Sequence, residues 1–506
     1  MPGSATTFGY NDVGERNLVD VQASGQTVDY HGYDYNVNGW ITAAHRLGGV
    51  TASYTYDNIG QLLSAQAYEP NSTLRLNENL SYTYDASHNL ASRSANTLSQ
   101  AFSSDALNQL ASITRSGTLT VSGSFTGAVT SIGVNGKGAQ LYSDSTFATT
   151  NGLTLRDGNN LFVTAGSNTV GELVLSTITS NRLPVTVGFG YDLNGNLTSD
   201  GQRVFDYDAN QLVAVTVSNL YRTEFTYDGL NRRRIVRDHT WSSAIGNWQS
   251  ASEVRYVCDG YLPVQERDAS GNVLVTYTRG LDLSGTFGGA GGIGGLLART
   301  DGSGSAFYHA DVGGNITSLT DSSGSVVARY LHDPFGRPLG MSGPLAGPNV
   351  MRSSSMPYYE QAGIVGYPLR VYDPTLHGWT SEDPIREAGG MNLHRFVGNN
   401  PISRVDPYGL AEQMVGVSFD LNGGGASAQY SSQRSGQDYG IGMHGPLGGG
   451  GGIALTMGAT MVPGVGEAMD AAVLADPNSR WWELGLAGAS LGLSMLTNGA
   501  NRTRQP

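Results

Sequence analysis

The sequence predicts a mainly β chain of antiparallel hairpins, and three observations carry that expectation. Only 14% of the 506 residues are charged, while 71 are glycine and 26 tyrosine, a balance that favours strands and turns over helices. A short unit, aromatic-x-aromatic-Asp-x-x-Gly/Asn-x-apolar, recurs along much of the chain. Where that unit is missing, between residues 116 and 183, short alternating runs are punctuated by turn signals roughly every 8 to 12 residues.

The unit first appears at Tyr33 (YDYNVNGWI), then at Tyr54 (YTYDNIGQL), Tyr82 (YTYDASHNL) and Phe102 (FSSDALNQL). It resumes at Phe189, Phe205 and Phe225, and closes at Tyr308 and Tyr330. Aromatics at alternate positions put both rings on one sheet face. The Asp supplies an Asx-type turn, and the Gly or Asn three residues on tolerates a positive φ. One hairpin cannot bury its ring face alone, so successive hairpins must pair into a continuous sheet. The repeated carboxylates therefore read as turn caps rather than metal ligands, and the rings as cross-strand packing. The interruption reads as a small immunoglobulin-like β-sandwich inserted in a repeat loop and acting as a spacer.

A net charge of −13 argues against a nucleic-acid surface for the chain as a whole, and Lys137 is its only lysine. Cys258 is the single cysteine, so no intramolecular disulfide can form. The first residues show no secretory signal pattern, and no window reaches the ~18 apolar residues of a transmembrane segment. The glycine run from Gly280 to Arg299 lacks the Gly-Lys-Ser/Thr ending of a phosphate loop. No cofactor and no metal are expected.

The stretch from Leu369 to Leu410 carries the most specific pattern, LRVYDPTLHGWTSEDPIREAGGMNLHRFVGNNPISRVDPYGL. Arg370, Tyr372, Asp373, Pro374, Gly378, Ser381, Asp383, Pro384, Ile385, Asn392, Leu393, Asn399, Asn400, Pro401, Asp406, Pro407, Gly409 and Leu410 match the core motif of the Rhs/YD-repeat family, which this chain resembles. Outside the insert the resemblance runs from about Tyr10 to Leu410, and takes in the glycine run. It implies that the hairpin sheet spirals into a hollow shell and that the core is its C-terminal plug. It also implies an intramolecular aspartyl peptidase, with Asp383 and Asp406 as catalytic dyad and Leu410–Ala411 as scissile bond. Two carboxylates brought close cannot both ionise cheaply, which suits one as acid and the other as base. Proline after each Asp favours extended geometry and is expected to hold the carboxylate away from local helix capping. Glu382 stands where some relatives have arginine, and it is expected either to raise the pKa of Asp383 or to weaken the site. Asp373 is expected to serve a turn, with Tyr372 and His377 packing beside it.

The reading divides the chain into repeats at 1–115, the insert at 116–183, repeats at 184–340, the core at 341–410 and a variable tail at 411–506. The tail reads as a Gly/Ser-rich stretch followed by two short α-helices, the first started by Pro463 and stopped at Asp476-Pro477. It shows no nuclease, deaminase or protease constellation, which suits a pre-toxin remnant. Because the chain opens inside a repeat, an open shell or a piece of one is expected. The family implies the chain's own C-terminal segment as cargo, a cognate immunity protein, a secretion apparatus, and a secreted or cell-surface location reached without a signal peptide. Two alternatives stand beside this: a non-enzymatic YD-repeat surface protein that binds carbohydrate, and an inactive orphan Rhs fragment.

Overall fold

Each repeat folds as the unit's chemistry demands. In the hairpin between the strands Thr51–Tyr56 and Leu62–Tyr68, Asp57 Oδ1 accepts the backbone N–H groups of Ile59 and Gln61 at 3.0 and 2.8 Å. The following position must then turn left-handed, and Gly60 has φ +90° there. Asp85 closes the next hairpin in the same way, onto Ser87 and Asn89 at 2.8 Å each. The second aromatic sits at a β-bulge, between Thr55 and Tyr56 and again between Thr83 and Tyr84.

That bulge turns the ring so that its hydroxyl reaches back one repeat. Tyr56 donates to the Ile41 carbonyl at 2.6 Å, Tyr84 to Leu62 at 2.8 Å and Tyr227 to Leu212 at 2.9 Å. The acceptor is in each case the apolar residue closing the preceding unit, so these three repeats are stitched to their predecessors by about 1 kcal/mol of hydrogen bond each. The stitch crosses the insert too: Leu110 N–H donates to the Tyr191 hydroxyl at 3.1 Å.

The computed structural model describes residues 4–171, 173–415, 430–434 and 437–441. The chain divides into two compact units, the first spanning Met1–Phe419 with Ser432–Asp438 and the second Asp420–Ser431 with Tyr439–Pro506. The helices expected in the tail lie outside the described residues. Among those described, the first unit is antiparallel β throughout. One 12-stranded sheet runs in chain order from Ser4–Tyr10 to Leu110–Leu119, where Leu153–Thr154 and Thr186–Gly188 join it. A 14-stranded sheet then runs without interruption from Gly190–Tyr191 to Pro338–Ser342. The two are fastened across a long sequence gap. Asp29 Oδ2 accepts the Thr317 and Ser318 hydroxyls at 2.6 and 2.7 Å, and Arg329 donates to the Val28 carbonyl at 2.9 Å.

Between these sheets, Ser122–Ser124, Thr146–Thr149, Lys137–Leu141, Ser131–Val134, Asn159–Ser167 and Leu173–Arg182 form a six-stranded antiparallel path. Lys137–Leu141 pairs on both sides and joins its two halves, whose Val134, Phe147 and Phe162 share one apolar cluster. Arg75 clasps this segment to the 12-stranded sheet: it is fully buried and its Nη2 pairs with Asp144 Oδ2 at 2.5 Å.

The residues after Pro338–Ser342 fold inward. Tyr358–Tyr359, Ile364–Gly366, Val371–Asp373 and Gly378–Trp379 make a small four-stranded sheet. Tyr367, Tyr372, Trp379 and Phe396 pack among Ile41, Leu62 and Tyr82 of the 12-stranded sheet. Tyr359, Ile364 and Val371 pack with Phe205, Phe225 and Tyr256 of the 14-stranded one. The core segment thus supplies what each ring face needs to bury, and neither sheet is complete without it.

Candidate active site

The site is assembled where the core segment closes on itself. Arg370 enters just before the strand Val371–Asp373 and is 5% exposed, its guanidinium lying 4.1 Å over the Trp379 ring. Burial lowers the Arg370 pKa, and the two acids it faces oppose that. Its Nε donates to the Gly409 carbonyl and its Nη1 to Leu393 at 3.3 Å. Nη2 lies 3.0 Å from Asp383 Oδ2 and 3.4 Å from Asp406 Oδ2, so the two carboxylate oxygens are no more than 6.4 Å apart. The structure therefore brings together acids 23 positions apart, both nearly fully buried.

The two carboxyls are held differently. Asp406 Oδ1 accepts N–H groups from Tyr408, Gly409 and Leu410 at 3.3, 2.8 and 2.8 Å, which curls the chain around it up to the Leu410–Ala411 junction. Asp383 Oδ1 accepts only Ile385 N–H, at 3.0 Å. Neither carboxylate caps a helix: the N-cap of the turn Arg386–Ala388 is Ile385, without a side-chain hydrogen bond. Pro384 and Pro407 fix the first turn residue, and each Asp caps the turn with Oδ1 while Oδ2 faces Arg370.

Burial pushes Asp383 up to about 6, with Arg370 and the Ile385 amide opposing and the Asp406 charge adding. Burial also raises Asp406, against Arg370 and the three amides. Glu382 is not among the largest causes: it pairs with Arg386 and covers Gly195, and the push on Asp383 comes chiefly from burial, with the Asp406 charge adding to it.

The junction is closely fitted. Gly409 has φ +79°, and a Cβ there would sit 3.1 Å from Arg370 Cβ, so only glycine fits. A Cβ on Gly389 would fall on Asp383 Oδ2 and lie 2.8 Å from the Leu410 carbonyl oxygen, so carboxyl and carbonyl share one methyl-sized space. Leu410 is half-buried and Ala411 exposed. Beyond the junction the chain turns back, Gln413–Met414 pairing with Arg404–Val405. The glycine run lies against this loop, with the Tyr408 hydroxyl donating to Gly288 at 2.6 Å. Its Ala290 and Gly292 amides are taken by Asp282 Oδ2 at 2.7 and 3.0 Å.

Other core-motif residues have supporting places. Asp373 Oδ1 accepts Thr375 N–H at 2.8 Å, and its Oδ2 pairs with Arg203 of the 14-stranded sheet. Asn399 donates to Gln61 at 2.9 Å, Asn400 accepts Ser403 N–H at 3.1 Å, and the Tyr372 hydroxyl reaches the Phe335 carbonyl at 2.8 Å. Pro401 lines a cavity alongside Ile402. His377 stacks on Phe335 with ring centroids 4.0 Å apart. His394 is held down to about 4 by burial and sits 3.4 Å from the Trp379 carbonyl. Among the described residues no three His, Cys, Asp or Glu side chains cluster as metal ligands, and no helix is long and apolar enough to cross a membrane.

No family model matches the chain. It is similar to the tRNA nuclease WapA of Bacillus subtilis (strain 168), 28% identical over 262 residues, which are 51% of this chain and 10% of that protein. It is also similar to the double-stranded DNA deaminase toxin A of Burkholderia cenocepacia (strain H111), 27% identical over 241 residues, 44% of this chain and 17% of that one. Both similarities are consistent with the Rhs/YD-repeat family. A solved structure of TcdB2-TccC3 matches 81% of this chain and 21% of its own, with 19% identity and a TM-score of 0.37. The chain spans about a tenth of the length of the WapA proteins it matches.

Proposed function

We propose that this chain is an Rhs-type repeat shell that carries the segment after Leu410 as cargo and frees it by hydrolysing its own Leu410–Ala411 bond. The observation that carries this reading is the convergence of both acids and the Leu410 peptide group on Arg370 and Gly389. Asp406, with four donors on its carboxylate, is the better anion and acts as base. Asp383, raised and with its Oδ2 no more than 5.0 Å from the Leu410 carbonyl oxygen, acts as acid.

The chemistry balances with one water. Asp406 Oδ2 takes a proton as the water oxygen bonds to the Leu410 carbonyl carbon, while Asp383 gives its proton to the carbonyl oxygen. Collapse breaks the C–N bond, the proton on Asp406 passes to the Ala411 nitrogen, and the proton on the carbonyl oxygen returns to Asp383. The products are a Leu410 carboxyl group and an Ala411 amine.

Similarity to relatives named as a nuclease and a deaminase toxin supports a toxin as the cargo, delivered between bacteria. A cognate immunity protein and a secretion apparatus would then be its partners, and residues 116–183 a spacer. The test is a gel of the purified full chain. A fragment corresponding to residues 411–506 is expected from the parent and absent from D383N and D406N; a parent that stays intact contradicts the reading.

A further inference from the structure

Glycine at position 389 needs an explanation that its backbone does not supply. Gly389 has φ −86° and ψ −10°, an ordinary right-handed conformation open to any residue, at the end of the turn Arg386–Ala388. Its amide is already spent, donating to the Arg386 carbonyl at 3.0 Å. A side chain is excluded only by what lies beside the Cα. A Cβ would overlap Asp383 Oδ2, come within 2.9 Å of Asp383 Cγ, and sit 2.8 Å from the Leu410 carbonyl oxygen. Neither neighbour can step aside. Asp383 is fixed by Ile385 N–H and Arg370, and Leu410 by its own N–H on Asp406.

We infer that Gly389 is a positioning residue for self-cleavage: its missing side chain lets the Asp383 carboxyl reach the Leu410 carbonyl oxygen. The inference rests on the proposed hydrolysis and goes beyond it, since the dyad alone would not require glycine here. Gly390 differs, because its φ of +136° demands glycine for the backbone itself. Only at position 389 does a methyl group probe the reacting space and nothing else.

The experiment follows cleavage of the full chain made by cell-free translation and then chased in buffers between about pH 5 and about pH 8. Gly389→Ala is expected to slow cleavage by about 100-fold, the scale of an ångström misplacement at a reacting centre. Its residual cleavage is expected to lose the fall in rate above about pH 6 that an Asp383 acid imposes on the parent. Ala388→Gly, one residue away and exposed, is expected to cleave like the parent. If G389A misfolds, adding Asp383→Ser makes room for the methyl group, and the double variant is expected to fold without cleaving. Parent-like cleavage of G389A with a parent-like pH profile overturns the inference and leaves the proposed hydrolysis standing, as does a double variant that still misfolds. A parent that is never cut overturns both.

Discussion

Replacing Asp383 with asparagine is expected to stabilise the fold while it silences the site. Asp383 is raised from the ordinary 3.8 to about 6, so ionising it costs more in the folded chain than in the unfolded one. That difference corresponds to about 3 kcal/mol. The stability owed to the neutral carboxyl is fully present below 3.8 and is lost as pH rises through about 6. Asparagine keeps the acceptor for Ile385 N–H and cannot ionise, so the variant escapes the loss. D383N should therefore match the parent within roughly 1 kcal/mol near pH 4 and exceed it by up to about 3 kcal/mol near pH 8. Pulse proteolysis across a urea gradient, read on the full-length band so that only uncut chain is counted, measures this. A variant less stable than the parent by the same amount at both pH values would refute the reasoning, because the Arg370 pair would then outweigh burial.

Arg370→Gln leaves two buried carboxyls without their shared cation and is expected to cost 3–5 kcal/mol, in line with removing one partner of a buried ion pair. Urea denaturation reads that loss, and a gel should show cleavage abolished. Tyr56→Phe removes one inter-repeat stitch and should cost about 1 kcal/mol in the same assay, with cleavage unchanged. Because Asp383 must be protonated to act as acid, the single-turnover cleavage rate should fall as pH rises above about 6.

The hairpins were legible because their information is local. Asp57 and Gly60 lie within one turn, and alternation fixes which face Tyr54 and Tyr56 share. The stitch from Tyr56 to Ile41 was not legible, because it depends on a bulge that no side-chain period announces. The pairing of Asp29 with Thr317 and Ser318 spans nearly 290 residues and follows only from how the two sheets meet. In the site, the acids at 383 and 406 came from the family motif, and the fold brings them together. Their common partner Arg370 was visible only as a motif residue, since nothing in spacing says that a side chain 13 positions before one acid and 36 before the other faces both. Glu382, adjacent in sequence, drew attention that belonged to burial. Gly389 carried a signal in hindsight: a glycine that ends a helical turn without a left-handed φ marks crowding rather than conformation.

Self-cleavage at one bond is the claim everything else leans on. Intact mass measurement of the purified full-length product, with N-terminal sequencing of any smaller chain, tests it most directly. Two polypeptides, the smaller beginning at Ala411, are the expected result. A single uncut chain of 506 residues, or a cut at any other bond, would contradict it.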